Sequence, residues 1–248
     1  MINTTVQVLD HGFVKLRNVS GPTRRTFDSN PERLPGAYVR QFDADDIDTA
    51  QAARMSFDQM DSERTRSQDL ALADYLMRNA HWSPFEMVEV WVEMKLPIFV
   101  ARQFIRHNVS INEVSGRYVT LPAEWYIPEV VGGKAKSNKQ GQVDNLTPSE
   151  QKGFRIALDE HCRDGYSQYL ASLEMGVAPE HARLLLSLNH YTHWLWKQNL
   201  RDMLMFLRAR LHSHAQIEAQ KYGEALEGML RQVLPATMDL FDKHVRQA

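Results

Sequence analysis

The sequence predicts a mixed fold of β-strands and long α-helices, and three observations carry this prediction. Short apolar runs flank residues 10–12, Asp-His-Gly, in a pattern typical of a strand, a turn and a second strand. Apolar and polar residues alternate over residues 88–95, which indicates a strand with one polar face. A long helical pattern begins at a capping box in residues 147–150 and runs to Met175, where Gly176 ends it.

The remaining elements of the N-terminal half follow from local patterns. Apolar residues recur at helical spacing over residues 67–79, which predicts a helix. Residues 83–86, Ser-Pro-Phe-Glu, have the form of a second capping box, with proline at the first helical position, and predict one helical turn. A helix over residues 97–107 would carry Gln103 and Arg106 three positions apart, so that both reach the same neighbouring space.

The C-terminal half is predicted to be helical. Pro179 would restart a helix through Asn189, and a final helical region would occupy residues 194–234. Two stretches, near residues 21–48 and 131–146, have weak periodicity and are rich in Pro, Gly, Lys or Asn, so we predict two surface insertions there, the second a mobile loop. The length of 248 residues suffices for one large domain or two small ones.

Composition and charge exclude several classes of protein. The chain has 29 basic and 31 acidic residues, and the net charge of −2 argues against general binding of nucleic acid or anionic membranes. It contains no apolar run long enough for a membrane span, and its N-terminus lacks the pattern of a signal peptide. We therefore expect a cytoplasmic protein with neither nucleic acid nor membrane as a partner.

The single cysteine limits the chemistry. Cys162 cannot form an intramolecular disulfide, and it cannot alone build a thiolate zinc site. It falls on one face of the predicted helix with Leu158 and Tyr169, which indicates a small buried side chain. A nucleophilic role would need an activating neighbour, and none adjoins it in sequence.

The densest polar segment covers residues 102–118 and combines Arg, His, Asn, Ser and Gly. This composition suits a planar or phosphate-bearing ligand, although an irregular loop held by its own side-chain bonds is the alternative. Ser115 beside Gly116 and Arg117 is better suited to donate to a phosphate than to act as a nucleophile, because His107 is eight residues away. The sequence has no GxGxxG or GxxxxGK[ST] motif, so a Rossmann or P-loop nucleotide site has no support.

A second polar segment covers residues 199–216. Asn199 is predicted to cap a helix through Asp202, which would place Asn199 and Arg201 at a helix N-terminus that attracts pyrophosphate. Arg210 and His214 would follow one stripe of the same helix. Only His214 and Glu218 share a helix side, which is too few ligands for a metal site.

These segments resemble the flavin-dependent thymidylate synthases. That family carries Arg-His-Arg, seven residues and Ser within a longer RHRxxSxNExSxRY pattern. The matching positions here are Arg106, His107, Ser110, Asn112, Glu113, Ser115, Arg117 and Tyr118. The similarity continues through HWSPFE, LPIFVARQFIRH, EWYIP and NLRDMLMFLRARLHSHAQ, and so covers nearly the whole chain.

The resemblance implies an α+β fold with a twisted sheet and long helices, in a single domain over residues 1–248 outside the two insertions. It implies a homotetramer whose sites lie between subunits. The implied reaction is the reductive methylation of dUMP to dTMP, in which methylenetetrahydrofolate supplies the carbon and NADPH-reduced FAD supplies the hydride. No metal is implied.

The resemblance also assigns site residues. It places FAD against polar residues spread along the chain: Ser56, Ser83, Arg106, His107, Asn108, Glu113, Asn199, Arg201 and His214. It places dUMP against a second, overlapping set: Gln103, Arg106, Glu113, Ser115, Gly116, Arg117, Arg183 and Arg210. Arg210 is the expected catalytic residue, because its guanidinium would stabilise charge that develops on the uracil ring.

Two positions depart from the family pattern. The signature segment is one residue short, so its third residue, an arginine, has no counterpart and Asn108 follows His107 directly. Met205 stands where the family commonly has asparagine. Both changes remove polar contacts assigned to FAD, so we expect weaker FAD binding. They also leave two alternatives: a relative that methylates or hydroxymethylates another pyrimidine nucleotide (UMP or dUMP), and a non-catalytic nucleotide-binding relative.

Overall fold

A computed structural model of the chain describes residues 4–22, 45–59, 64–107, 110–134, 142–143 and 145–246. Most of the predicted insertion near residues 21–48 therefore lies outside the described residues, and so does Asn108. The described part combines one larger antiparallel sheet with helices. The predicted α+β class is thus confirmed.

The larger sheet has the strand order β1-β2-β3-β7-β4, and every pairing in it is antiparallel. Its strands are β1 (Thr5–Val8), β2 (Gly12–Ser20), β3 (Glu89–Pro97), β4 (Ser110–Glu113) and β7 (Tyr191–Asn199). The predicted strand pair around residues 10–12 and the predicted strand over residues 88–95 are both confirmed. A second ladder pairs β5 (Gly133–Lys134) with β6 (Gln142–Val143), so part of the stretch expected to be a loop is paired.

The helices surround this sheet and vary widely in length. They are α1 (Asp48–Arg54), α2 (Arg66–Arg78), α3 (Ser83–Glu86), α4 (Ile98–Phe104), α5 (Pro148–Glu174), α6 (Pro179–Ala182), α7 (Leu200–Arg210), α8 (Ile217–Val233) and α9 (Pro235–His244). Two 3-10 turns cover Met55–Phe57 and Arg183–Leu185. None of the helices in the described part of the chain is both long and apolar enough to span a membrane.

The core lies between one face of the sheet and helices α4, α7 and α8. Val90, Val92 and Met94 of β3 are fully buried, as their alternation with polar residues predicts. Phe206 of α7 contacts the rings of Phe104 and Trp196 edge to face, with both centroid distances at 4.8 Å. Each large side chain buried in this way contributes about 1.5–3 kcal/mol to folding, so this core fixes α4 and α7 firmly against the sheet.

The predicted helix over residues 194–234 is wrong in its first part. Residues Tyr191–Asn199 form strand β7, in the interior of the sheet. Trp194 and Trp196 are buried while the alternating residues His193 and Leu195 are exposed, which is the period of a strand. The remainder divides into α7 and α8, with a non-helical stretch over residues 211–216.

Two further helix predictions need correction. The helix expected from Pro179 to Asn189 is only the single turn α6, followed by a 3-10 turn. The capping box at residues 83–86 is absent, because Trp82 holds the N-cap position without a side-chain bond and Ser83 is already helical. The box at Thr147 is confirmed, since its side chain accepts from the backbone of Glu150 and the Glu150 carboxylate accepts in return.

A buried histidine makes the fold sensitive to acid. His190 is 2% exposed, its Nε2 has no hydrogen-bond partner among the described residues, and burial lowers its pKa to about 4. The unfolded chain protonates this group near the ordinary histidine pKa of about 6.5, whereas the folded chain does not until about pH 4. The stability that the fold gains by keeping His190 neutral is therefore fully present above about pH 6.5 and is lost as the pH falls toward about 4.

The free energy of unfolding should fall between pH 7 and pH 4, and we expect His190→Phe to make that fall smaller by up to about 3 kcal/mol. Phenylalanine keeps the stacking on Tyr166, whose ring lies 6.4 Å away, and removes the proton-binding site. The measurement is the free energy of unfolding across this pH range. His161→Gln, at an exposed position of α5, is the control. Equal pH slopes for His190→Phe and the wild type would contradict this assignment.

Candidate active site

The first cluster of candidate residues joins the C-terminal ends of α4 and α7 and consists of Gln103, His107 and Arg210. We call it the Arg210 cluster. Arg210 Nη2 donates to the main-chain oxygen of Gln103 at 3.0 Å and lies 2.9 Å from His107 Nε2. Arg210 Nε is buried and has no partner among the described residues. The guanidinium is therefore held through Nη2 by two acceptors at and just beyond the end of α4.

The Arg210 cluster opens into a cavity of about 740 Å³. Its lining includes Gln103, Arg210, His214, Gln216 and Glu218. Gln103 Nε2 donates to Gln216 Oε1 at 2.5 Å across this cavity. A volume of this size lies in the range of small-molecule sites, and the polar groups suit a ligand with several carbonyl and N–H groups.

His107 is neutral in this arrangement. Because a guanidinium only donates, His107 Nε2 must accept, so the ring carries its single proton on Nδ1. Burial lowers the pKa of His107, and the charge of Arg210 lowers it further, while Asp202 acts in the opposite direction. The edge-to-face contact of the ring with Phe206 at 5.1 Å fixes its plane.

A second cluster follows β4 and consists of Ser115, Gly116, Arg117 and Arg183. We call it the Ser115 turn. Arg117 N donates to Ser115 Oγ at 3.3 Å. Gly116 packs against Arg183, because a Cβ atom added to Gly116 would lie 3.5 Å from Arg183 Cδ. Both arginines are exposed. Hydroxyl, backbone and guanidinium groups are thus brought together at one turn, as an anion such as phosphate requires.

Glu113 and Arg117 have partners that the sequence did not reveal. The Thr192 hydroxyl donates to the Glu113 carboxylate, and Arg117 Nε donates to Glu180 Oε2 at 3.2 Å. The Arg117–Glu180 pair is exposed and therefore weak, so a dianionic phosphate could displace the carboxylate from Arg117. Neither partner is close in sequence to its site residue, and the sequence carried no signal for them.

A third group lies at the N-terminus of α7. Asn199 caps this helix as predicted, since its Oδ1 accepts from Asp202 N at 2.8 Å. Arg201 contacts Asp202 at 3.1 Å and Glu86 of α3 at 3.4 Å, while its Nε is buried without a partner among the described residues. The helix N-terminus and the guanidinium of Arg201 fit a pyrophosphate, which would compete with the two carboxylates for Arg201.

Several of the other predicted residues are exposed. Ser83 is exposed on α3, Ser56 is exposed in the 3-10 turn after α1, and Arg106 is exposed beyond the end of α4. The prediction that His214 lies on the stripe of α7 is wrong. His214 lies in the non-helical stretch before α8, where its ring centroid is 5.0 Å from that of His212. From this non-helical stretch, His214 lines the same cavity as Arg210.

The Ser115 turn and the Asn199 helix start lie at opposite ends of β7. Glu113 pairs with Trp194, and Val114 N donates to His193 O at 2.8 Å, so the Ser115 turn continues past that end. Asn199 is five residues beyond Trp194, or about 17 Å at the rise of a strand. No hydrogen bond or ion pair between described residues joins the Ser115 turn to the Arg210 cluster either.

Cys162 lies apart from these groups. It is 4% exposed, and its Sγ lies 3.3 Å from Ser187 Oγ and 3.4 Å from Asn189 Oδ1, within the packing of α5. The predicted buried cysteine is confirmed. Within the described ranges, no group of three or more His, Cys, Asp or Glu residues is arranged to hold a metal ion.

We expect Cys162→Ala to leave turnover within about twofold of the wild type. The removed thiol makes only weak bonds to Ser187 and Asn189, so the cost falls on stability, at about 1–2 kcal/mol for a small buried group. Steady-state kinetics and thermal unfolding check both parts. A large loss of turnover in a folded variant would be incompatible with a thiol-free reaction.

Comparison with known proteins identifies the family. Residues 39–236 match the family described as thymidylate synthase complementing protein. The flavin-dependent thymidylate synthase of Thermus thermophilus is 38% identical over 242 residues, covering 97% of this chain and 79% of that protein. The flavin-dependent thymidylate synthase of Treponema denticola is 35% identical, covering 96% of this chain and 82% of that protein.

Solved structures agree with the sequence comparison. The UMP/dUMP methylase PolB from Streptomyces cacaoi, bound with 5-Br dUMP, superposes with a TM-score of 0.78 at 26% sequence identity. The match covers 97% of this chain and 99% of that one. The same methylase bound with 5-Br UMP gives a TM-score of 0.76. The family model matches most of this chain, and the curated relatives match nearly all of it. The chain therefore belongs to the flavin-dependent thymidylate synthase family.

Proposed function

We propose that this protein catalyses the reductive methylation of dUMP to dTMP. Methylenetetrahydrofolate supplies the carbon, and NADPH reduces the bound FAD. The observation that carries the proposal is the Arg210 cluster, where one guanidinium, fixed by Gln103 O and His107 Nε2, belongs to a side chain that lines a cavity of about 740 Å³. Family membership supplies the reaction class.

The nucleotide is held at both ends in this proposal. Ser115, Gly116, Arg117 and Arg183 form an anion site for the phosphate in this proposal, because a hydroxyl group lies in a turn that carries Arg117 and packs against the side chain of Arg183. Gln103 and Arg210 face the uracil. Glu113 has a carboxylate oxygen that accepts from Thr192 and is placed to accept from sugar hydroxyl groups as well.

Arg210 activates the substrate carbon in this proposal. C5 of uracil becomes nucleophilic as negative charge accumulates on the N3–O4 side of the ring. A fixed guanidinium at that side stabilises the charge as it forms, and the half-buried position strengthens the interaction. Burial lowers the pKa of Arg210, yet a guanidinium remains charged throughout the working pH range.

The residues at the start of α7 fit FAD. Asn199 holds the helix N-terminus in place, and the part-exposed guanidinium of Arg201 adds a positive charge for the pyrophosphate. Ser56, Ser83, Arg106, His107, Glu113 and His214 complete the proposed set of FAD contacts. When bound, FAD supplies the hydride that completes the methyl group. Met205 lies one helical turn from Arg201, half-buried against the core, where it offers no polar contact.

A homotetramer with shared sites is part of the proposal. In one chain, the Ser115 turn and the α7 N-terminus lie at opposite ends of β7, and no polar contact between described residues links the Ser115 turn to Arg210. A second subunit would bring the Ser115 turn of one chain to the Arg210 cluster of another. The exposed positions of Arg117 and Arg183 suit such an arrangement.

A second candidate is the methylation of UMP. The solved structures of the Streptomyces cacaoi protein describe it as a UMP/dUMP methylase and contain 5-Br UMP or 5-Br dUMP. Incubation of the protein with FAD, NADPH, methylenetetrahydrofolate and either dUMP or UMP, followed by mass analysis of the nucleotide, separates the candidates. Gain of one methyl group on dUMP alone supports the proposal, and gain on UMP supports the second candidate. A hydroxymethyl product would overturn both, and an unchanged nucleotide with flavin still reduced by NADPH would favour a binding protein.

A further inference from the structure

The Arg210 guanidinium is held by only two acceptors among the described residues. One is the main-chain oxygen of Gln103 at 3.0 Å, and the other is His107 Nε2 at 2.9 Å, both bonded to the same Nη2. The main-chain acceptor is fixed by the end of α4 and does not depend on the side chain of residue 103. His107 is therefore the side chain that decides where the guanidinium points.

This hold requires one protonation state and one tautomer of His107. Arg210 can only donate, so His107 Nε2 must keep its lone pair and the ring proton must be on Nδ1. If the ring gained a second proton, two donors and two positive charges would face each other at less than 3 Å. The bond would then break, and Arg210 would lose one of its two anchors.

We propose that neutral His107 is a positioning residue that aims Arg210 at the pyrimidine ring. The role differs from a contact with the flavin, because it acts through Arg210 and through a lone pair rather than through a donated proton. Its kinetic consequence rests on the proposed function, whereas the tautomer and the hydrogen bond belong to the protein alone and can be tested without turnover.

The surroundings of His107 favour the neutral ring. The packing against Phe206 removes water from one side, and Arg210 adds repulsion for a second charge. Asp202 of α7 is the opposing group, and its carboxylate is engaged by Asn199 and Arg201. Burial and the charge of Arg210 outweigh the charge of Asp202, so the pKa of His107 lies below the ordinary value and the ring is neutral at neutral pH.

The first test observes the ring in the ligand-free protein. With 15N-labelled histidine, we expect the NMR signals of His107 to show a protonated Nδ1 and an unprotonated Nε2, with a pKa below about 6.5. Arg210→Met should raise that pKa toward the ordinary value, because it removes a positive neighbour. His190, which makes no described bond to Arg210, should keep its pKa in the same spectra and is the internal control. A proton on Nε2, or a pKa unmoved by Arg210→Met in folded protein, would overturn the proposal.

The second test uses turnover. Glutamine at position 107 can place Oε1 near the position of Nε2 as an acceptor that does not titrate, whereas leucine offers no acceptor. We expect His107→Gln to recover most of the kcat that His107→Leu loses near pH 8, and to lack the decline in kcat on acidification that we expect of the wild type. His107→Leu should lower kcat about tenfold or more, as expected for loss of a hydrogen bond to a charged group.

The outcomes separate the two proposals. If His107→Gln retains the acid decline of the wild type, or is as impaired as His107→Leu while folded and flavin-loaded, the positioning role is wrong. If the wild type forms no methylated nucleotide but the NMR signals show the expected tautomer and the expected response to Arg210→Met, the proposed function fails and the hydrogen bond to His107 stands.

Discussion

Arg210→Lys should reduce the formation of dTMP by about 100- to 1000-fold, the usual effect of removing one preorganised donor from a site of developing charge. Lysine keeps the positive charge but has a single nitrogen. If that nitrogen bonds Gln103 O and His107 Nε2, as Arg210 Nη2 does, no second nitrogen remains to bond the uracil. The loss should appear in kcat more than in KM, because the interaction strengthens as charge develops.

The matched control is Arg208→Lys, which makes the same exchange at an exposed position two residues earlier on α7. Its turnover should equal that of the wild type. Reduction of bound flavin by NADPH should also be normal in Arg210→Lys, which would separate a defect in nucleotide activation from a loss of cofactor. Turnover of Arg210→Lys within a few-fold of the wild type would show that Arg210 does not activate the uracil ring.

Several features of the structure could be predicted from the sequence where the signal was local. The cap of α7 by Asn199 depends on a side chain and a backbone group three residues apart, and the structure contains that bond. The capping box at Thr147 is equally local and equally confirmed. The burial of Cys162 followed from helical periodicity alone.

The failures have a common physical cause, which is that tertiary contacts decided the structure. Strand β7 contains Trp194, Leu195 and Trp196 and runs directly into helix α7, so its sequence favours an extension of that helix. Its extended form depends on β3 and β4, which pair with it on its two sides and are distant in sequence. The box at Ser83 failed because the chain becomes helical one residue earlier than the Ser-Pro-Phe-Glu pattern indicates.

The grouping of site residues could be predicted only in part. Ser115, Gly116 and Arg117 are neighbours in sequence, but Arg183 joins them through the chain's tertiary fold. The bond between Gln103 and Gln216 spans 113 positions, and no local pattern could indicate it. The resemblance names the kinds of side chain, whereas only the structure shows that one chain divides them between the two ends of β7 and the Arg210 cluster.

That division predicts that two inactive variants can restore each other. Arg183→Ala should abolish turnover by removing a phosphate contact, and Arg210→Ala should abolish it by removing the contact to the uracil. If each site takes the Ser115 turn from one subunit and the Arg210 cluster from another, a mixed oligomer contains some sites with both residues intact. Random assembly of equal amounts gives such sites at about one in four.

We therefore expect co-expressed Arg183→Ala and Arg210→Ala chains, purified through two different affinity tags, to recover about a quarter of wild-type turnover per site. Each variant alone, and a mixture of the two separately assembled proteins, should remain inactive, which controls for residual activity. Arg208→Ala paired with Arg210→Ala provides the reference for the yield of mixed oligomers, because every site with an intact Arg210 should then work. Mixed Arg183→Ala and Arg210→Ala oligomers without turnover would show that each site is built within one chain, because a single chain then always carries one of the two defects.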